Sequence, residues 1–184
     1  RPPHGFNEVI EIGAYKINQL GEVLDVFNKF IKPTVNPILS DFCRQLTSIS
    51  QSDVDKSKTF PHIIQEFQDW INVGEEDYNL CSWGKFNIQL LKNDWKLHKL
   101  EYDWLDKNIN VKGQYHEIKG EHKLTGLKNT IKHEGMEFTG IHHRAISDAE
   151  HLAKIFIKYI DMWKYWWFWP IYTFHSNIYR LFSS

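Results

Sequence analysis

Cysteine is scarce. Cys43 and Cys81 are the two in 184 residues, and they make neither a CxxC pair nor a metal-ligand spacing. A disulfide-stapled scaffold and a thiolate zinc site are thereby excluded. Both lie in apolar surroundings and are expected to be free thiols in a reducing, cytoplasmic compartment. Net charge is nearly absent too, at −1, so nucleic-acid binding would rest on a local patch rather than on the field of the whole chain. The sequence has no GxSxG elbow, no GxxxxGK[ST] loop and no GxGxxG turn. It shows no secretory leader pattern, no internal repeat and no low-complexity linker. The chain starts at Arg1 without a Met and is expected to be part of a longer polypeptide.

What is present is enough for one domain with a real core. After a Pro- and Gly-bearing loop over residues 1–7, the β-branched run 8–17 predicts a strand. A turn at 19–22 and a second strand at 23–32 complete an antiparallel hairpin. Pro33 and Pro37 enforce a loop. Ser40 is expected to cap a short helix over 41–46, and Ser50 or Ser52 a second one with Asp53 and Asp55 near its positive end. A third helix at 60–70 carries Ile63, Ile64, Phe67, Trp70 and Ile71 on one stripe. A buried strand at 79–83, a helix at 85–99, an extended segment near 108–111 and a helix at 124–136 follow. Strands first, then helices interleaved with short strands, predict an α/β or α+β layer fold with helices packed on a mixed sheet.

The stretch with most chemistry is GIHHRAISDAE, residues 140–150. It leads into an amphipathic helix with Ala145, Ala149, Leu152, Ala153, Phe156, Ile157 and Ile160 on its apolar face. Ser147 with Glu150 reads as a capping box, which starts the regular helix near Asp148. Positions five apart sit about 140° apart around a helix. His143 and Asp148 therefore converge only if His143 lies on the preceding loop. Such a pair suits a fixed carboxylate that holds a metal and an imidazole that takes a proton from water. A helix cap with a solvated side chain is the plainer reading, and spacing alone leaves His142 an equal candidate.

Two other features stand out. Residues 163–182 hold ten aromatics, including four of the eight Trp, with no formal charge between Lys164 and Arg180. Pro170 would interrupt a helix there, and the run is too short and polar to span a bilayer. The rings are expected to pack onto the domain, into a dimer interface, against a membrane surface or against bases. His116, Glu117, Glu121 and His122 lack the HExxH spacing and read as a solvated loop and helix face. Trp83 and Phe86, beside Asn87, read as core packing ahead of base stacking.

Three blocks, in order, carry a family resemblance. They are NEVIEIGAYKIN with FNKFIKPTVNPILSDFCRQLTSISQSDVD, then LCSWGKFNIQLL, then LTGLKNTIKHEGMEFTGIHHRAISDAEHLAKIF. Over residues 8–160 or so the chain resembles the DEDDh branch of the DnaQ-like 3′→5′ exonucleases, the Eri-type exoribonucleases in particular. The resemblance implies an RNase H-like fold and removal of nucleotides from single-stranded 3′ ends of RNA or DNA, RNA preferred. It implies two Mg²⁺ or Mn²⁺ ions that hold the scissile phosphate and activate water. By position it makes Asp148 a metal ligand and His143, rather than His142, the general base.

Two departures accompany it. The family's middle aspartate falls at Asn87, whose amide oxygen can bind a cation weakly but brings no charge. The family's first motif, an Asp and a Glu two residues apart, lies on a strand before the loop that here starts at Arg1. Glu8 and Glu11 match positions inside the following strand and do not replace it, and Glu11 is expected to serve structure. The chain as given thus holds one of four acidic residues and the histidine. The expected organisation is an N-terminally truncated exonuclease domain over 1–161, its first strand missing and its sheet edges exposed, followed by an aromatic tail over 162–184. The alternative is a degenerate module that binds nucleic acid or a protein without cleavage.

Overall fold

The computed structural model describes residues 7–74, 78–101, 103–106, 108–165 and 171–179, the last stretch with side chains at Tyr172 and Thr173. Residues 1–6 of the expected 1–7 loop and the tail residues 166–170 and 180–184 lie outside the described residues.

The β-branched runs form the hairpin. Strand β1 is Glu8–Ile17 and β2 is Val23–Phe30, paired antiparallel from Glu11↔Phe30 to Ile17↔Val23. At the turn Gly21 takes φ 79°, and Asn18 Oδ1 accepts hydrogen bonds from the Leu20 and Glu22 amides. The second strand stops at Phe30, short of the expected Lys32, which makes an isolated bridge to Thr59. Helices α1 (Asp41–Thr47) and α2 (Gln51–Asp55) start at Ser40 and Ser50, and Ser50 shares a full capping box with Asp53. Then come α3 (Phe60–Ile71), β3 (Asn79–Ser82), α4 (Phe86–Leu97), a 3-10 turn (Asp103–Asp106) and β4 (Asn108–Asn110). Next are α5 (Val111–Lys119), α6 (Leu127–His133), α7 (Ala145–Lys158) and β5 (Ile171–Tyr179).

The sheet runs β2-β1-β5-β3-β4. It is mixed: β5 lies antiparallel to β1 and parallel to β3, and β3 is parallel to β4. A shift of register between Val9 and Glu11 changes which face the strand presents. Ile10 falls to a small cluster with Leu39, Cys43, Ile49 and Val54, while Ile12 and Ala14 join Phe60, Phe67, Leu91 and Trp95 of α3 and α4. On the opposite side of the sheet, Cys81, Trp83 and Ile109 pack with Tyr115, Ile131, Leu152 and Phe156 of α5, α6 and α7. Helices on both faces of a mixed sheet give the expected three-layer RNase H-like arrangement.

Part of the tail packs onto the domain, one of the expected outcomes, though as a strand that was not expected: Ile171–Tyr179 is the middle strand of the sheet. Tyr172 and Thr173 are fully buried, and the Tyr172 hydroxyl donates to the Ile71 carbonyl at 3.1 Å. The flanks of β1 and β3 are thereby paired rather than exposed. Helix α5 was not expected, and α6 is shorter than the predicted 124–136 because Gly126 stands at its N-cap. Both cysteines are free and buried. Among the described residues no helix is long and apolar enough to cross a membrane.

Candidate active site

The site is built on the first turn of α7. The predicted apolar face is correct: Ala145, Ala149, Leu152, Ala153 and Phe156 are buried. The predicted start is not. Helix α7 begins at Ala145 with Arg144 at its N-cap, and no side chain of its own caps it. The cap comes from β1. The Ala145 N–H donates to Glu11 Oε2 at 2.8 Å, and Arg144 Nε and Nη2 donate to the same carboxylate at 3.0–3.2 Å. Glu11 is fully buried, and the guanidinium lies 4.9 Å from the centre of the Phe30 ring. A carboxylate at a helix N-terminus meets the positive end of the helix dipole and an unsatisfied N–H. Glu11 therefore has the structural task expected of it. Next to it, a β-carbon on Gly13 would stand 2.4 Å from the Ile146 nitrogen, so the backbone of α7 rests directly on β1.

Asp148 sits in this first turn, its N–H donating to the Arg144 carbonyl at 3.0 Å. Burial, and then the negative charge of Glu11, push its carboxyl up to about 7. Thr173 of β5 donates to the Ala149 carbonyl at 3.5 Å and ties this turn to the middle strand. His143 is exposed on the turn before the N-cap, in left-handed backbone at φ 62°. It is on a loop, as convergence with Asp148 requires, and both residues stand at the same end of α7. His142 is engaged elsewhere: its ring stacks on Phe138 with centroids 3.9 Å apart. Partial burial, and then the nearby Lys128 ammonium and the His143 and His151 rings, hold it below the usual imidazole range.

Asn87 lies on a different helix. Strand β3 ends at Ser82, Gly84 turns the chain at φ 92°, and Asn87 is buried in the first turn of α4. Ligand crevices of open α/β sheets lie at the carboxyl ends of strands and at helix N-termini. The head of α4 follows β3, the head of α7 rests on β1, and β5 runs between those two strands. Trp83 is in the core, as expected, and its Nε1–H donates to the Thr125 carbonyl at 3.3 Å. Phe86 is not: its ring is 62% exposed.

The His116 cluster also departs from its solvated reading. His116 is buried inside α5, with Nδ1 2.7 Å from the Lys112 carbonyl and Nε2 accepting from the Thr125 N–H at 2.9 Å.

Asp148 and Asn87 offer the hard oxygens that Mg²⁺ prefers. Two ions need more carboxylate than that, and Glu11 is committed to Arg144 and Ala145. Among the described residues no three His, Cys, Asp or Glu side chains gather to hold a metal. The described donors do not fit a two-ion centre.

The chain is similar to known proteins in sequence and in fold. A family model described as exonuclease matches residues 3–156. The human protein 3'-5' exoribonuclease 1 is 29% identical over 168 residues, 87% of this chain and 48% of that protein. The chain thus spans about half the length of that curated relative. The nuclease domain of 3'hExo, described as a DEDDh family member bound to rAMP, is similar with a TM-score of 0.80 and 28% identity, over 88% of this chain and 84% of that one. A 3'-exonuclease structure described as showing 3'-end specific recognition of histone mRNA stem-loop is similar with a TM-score of 0.80 and 27% identity, over 88% of this chain and 75% of that one.

Proposed function

This chain belongs to the exonuclease family, and on that premise we propose that the protein removes nucleotides from the 3′ ends of single-stranded RNA. The observation that carries the reading is the position of His143 and Asp148 at the head of α7, in a fold similar to a nuclease domain described as bound to rAMP. His143 is the general base. Its exposed ring takes the proton of the attacking water, and neutral imidazole suits that role near pH 7. Asp148 presents carboxylate oxygen to the phosphate end of the site, more of it ionised as pH rises through about 7. The exposed Phe86 ring, next to Asn87, offers a face on which a base can stack.

A second reading, binding without cleavage, has specific support. Asn87 replaces a carboxylate, and the middle strand Ile171–Tyr179 contains no Asp or Glu. A strand that preceded the first loop and paired with β1 would need a flank of β1. Strand β2 holds one and β5 holds the other.

The variants separate the readings. With Mg²⁺ or Mn²⁺ present, His143→Ala and Asp148→Ala should each lower single-turnover cleavage of RNA by roughly 10²-fold or more while RNA stays bound. Asn87→Asp should raise cleavage by restoring a charged oxygen donor. Binding with no cleavage in the native protein and in Asn87→Asp would establish the second reading instead.

A further inference from the structure

His143 owes its place to a loop, and the structure contains a device that holds the loop down. Residues 138–144 carry it across the flank of α7. His151, seven residues into α7, is fully buried. Its Nε2 accepts the Thr139 N–H at 3.0 Å. A backbone amide can only donate, so Nε2 is bare. The ring proton is therefore on Nδ1, which donates to the Ser147 carbonyl at 2.7 Å. The ring is fixed as one neutral tautomer by two bonds of opposite sense. Its face stacks on Phe138, with centroids 3.9 Å apart and planes within 8°. The other side of the stack is His142, also 3.9 Å from Phe138. Gly140 adopts φ 82°, and a β-carbon there would come within 2.6 Å of Ser147 Oγ, so the loop is pressed on the helix at that point. Lys154 Nζ adds a long contact to Thr139 Oγ1 at 3.4 Å.

We propose that His151 is a positioning residue: through the bond to Thr139 and the His151–Phe138–His142 stack it sets the position of the loop that presents His143. The proposal rests on the assignment of His143 as general base. His151 touches neither substrate nor water in this role; it acts through the loop. A buried imidazole bonded at both nitrogens could be simple core filling. It differs here because one bond crosses from α7 to the amide at the root of the catalytic loop.

The test uses the full chain with His151→Ala, His151→Gln and Phe138→Leu. In His151→Ala the Thr139 amide should exchange its hydrogen about tenfold faster, the effect of losing one buried hydrogen bond. Amides of Leu152 and Phe156 in the same helix should keep their protection. On RNA, kcat should fall while KM holds. Glutamine places an amide oxygen near the position of Nε2, so His151→Gln should recover most of the Thr139 protection and of kcat. Nitrogen chemical shifts of the His151 ring should report the proton on Nδ1. An unchanged Thr139 amide in His151→Ala, or a proton on Nε2, overturns the proposal. If the alanine variant does not fold, Phe138→Leu removes the stack and should loosen the same loop; a loop as protected as before overturns it. If the native protein cuts no RNA, the assignment of His143 fails, while exchange and ring shifts still decide whether His151 holds the loop.

Discussion

Asp94 carries a carboxyl that is 1% exposed. Burial pushes it up to about 8, against a hydrogen bond from the Val9 N–H and with added repulsion from Glu8. An acid raised on folding stabilises the protein below its ordinary value near 4, and that stability is lost as pH climbs toward 8. The melting temperature should therefore fall between pH 5 and pH 8. Asp94→Asn, which keeps an oxygen for Val9, should flatten that slope, and an unaltered slope would count against the assignment. Glu11 is the second residue to test. Glu11→Gln breaks a buried pair, at a cost of about 3 kcal/mol readable from the urea midpoint. It should also bring the Asp148 carboxyl down, since Glu11 is the charge that raises it; a carbon-detected titration of Asp148 reports this. Sequence reading placed Glu11 in a structural role because it lies within a strand. It missed His116, a polar residue among other polar residues. The donor that satisfies its buried ring nitrogen is the Thr125 N–H, on the loop after α5.

At the scale of elements, the buried face of α7 was legible and its start was not. The apolar residues repeat at helical spacing, so the face could be read locally. The cap could not, because its acceptor is Glu11, 134 positions from Ala145. Ser147 and Glu150 make a plausible box in sequence, yet Ser147 is buried inside the helix and Glu150 pairs with Lys154 at 2.7 Å. Gly13 offers a direct test of how α7 is seated. A methyl there meets backbone atoms of Ala145 and Ile146, which cannot rotate away. Overpacking of this kind costs about 1–3 kcal/mol. Gly13→Ala should lower the melting temperature by several degrees and reduce cleavage more than RNA binding, since the head of α7 must shift. A variant with native melting and native cleavage would show that the contact is not tight. Helix α5 escaped notice because Gly113 and its polar residues blunt the pattern; its N-terminus is marked by Asn110, whose Oδ1 accepts from the Gly113 N–H at 3.2 Å.

At the scale of the molecule, the hairpin, the helices and the family-like blocks all precede the segment that completes the sheet. Strand β5 lies between strands whose residues are more than 90 positions earlier, such as Asn79 opposite Ile171 and Ile17 opposite Ile171. No local pattern announces such a pairing: the aromatic run suggests rings packed on the domain, but not that they belong to a strand. Removing residues 166–184 would open the inner flanks of both β1 and β3, which then have no strand between them. The shortened chain should lose cooperative thermal unfolding and bind hydrophobic dye. Retention of a sharp transition would mean that the sheet closes without β5.

Whether this site cuts RNA at all decides the roles of His143 and Asp148. The most direct measurement follows a 5′-labelled single-stranded RNA with a free 3′ hydroxyl, incubated with the native protein and Mg²⁺, at single-nucleotide resolution. The expected result is a ladder that shortens one nucleotide at a time from the 3′ end and vanishes with His143→Ala. Full-length RNA that is bound but uncut, or a ladder that persists in His143→Ala, would contradict it.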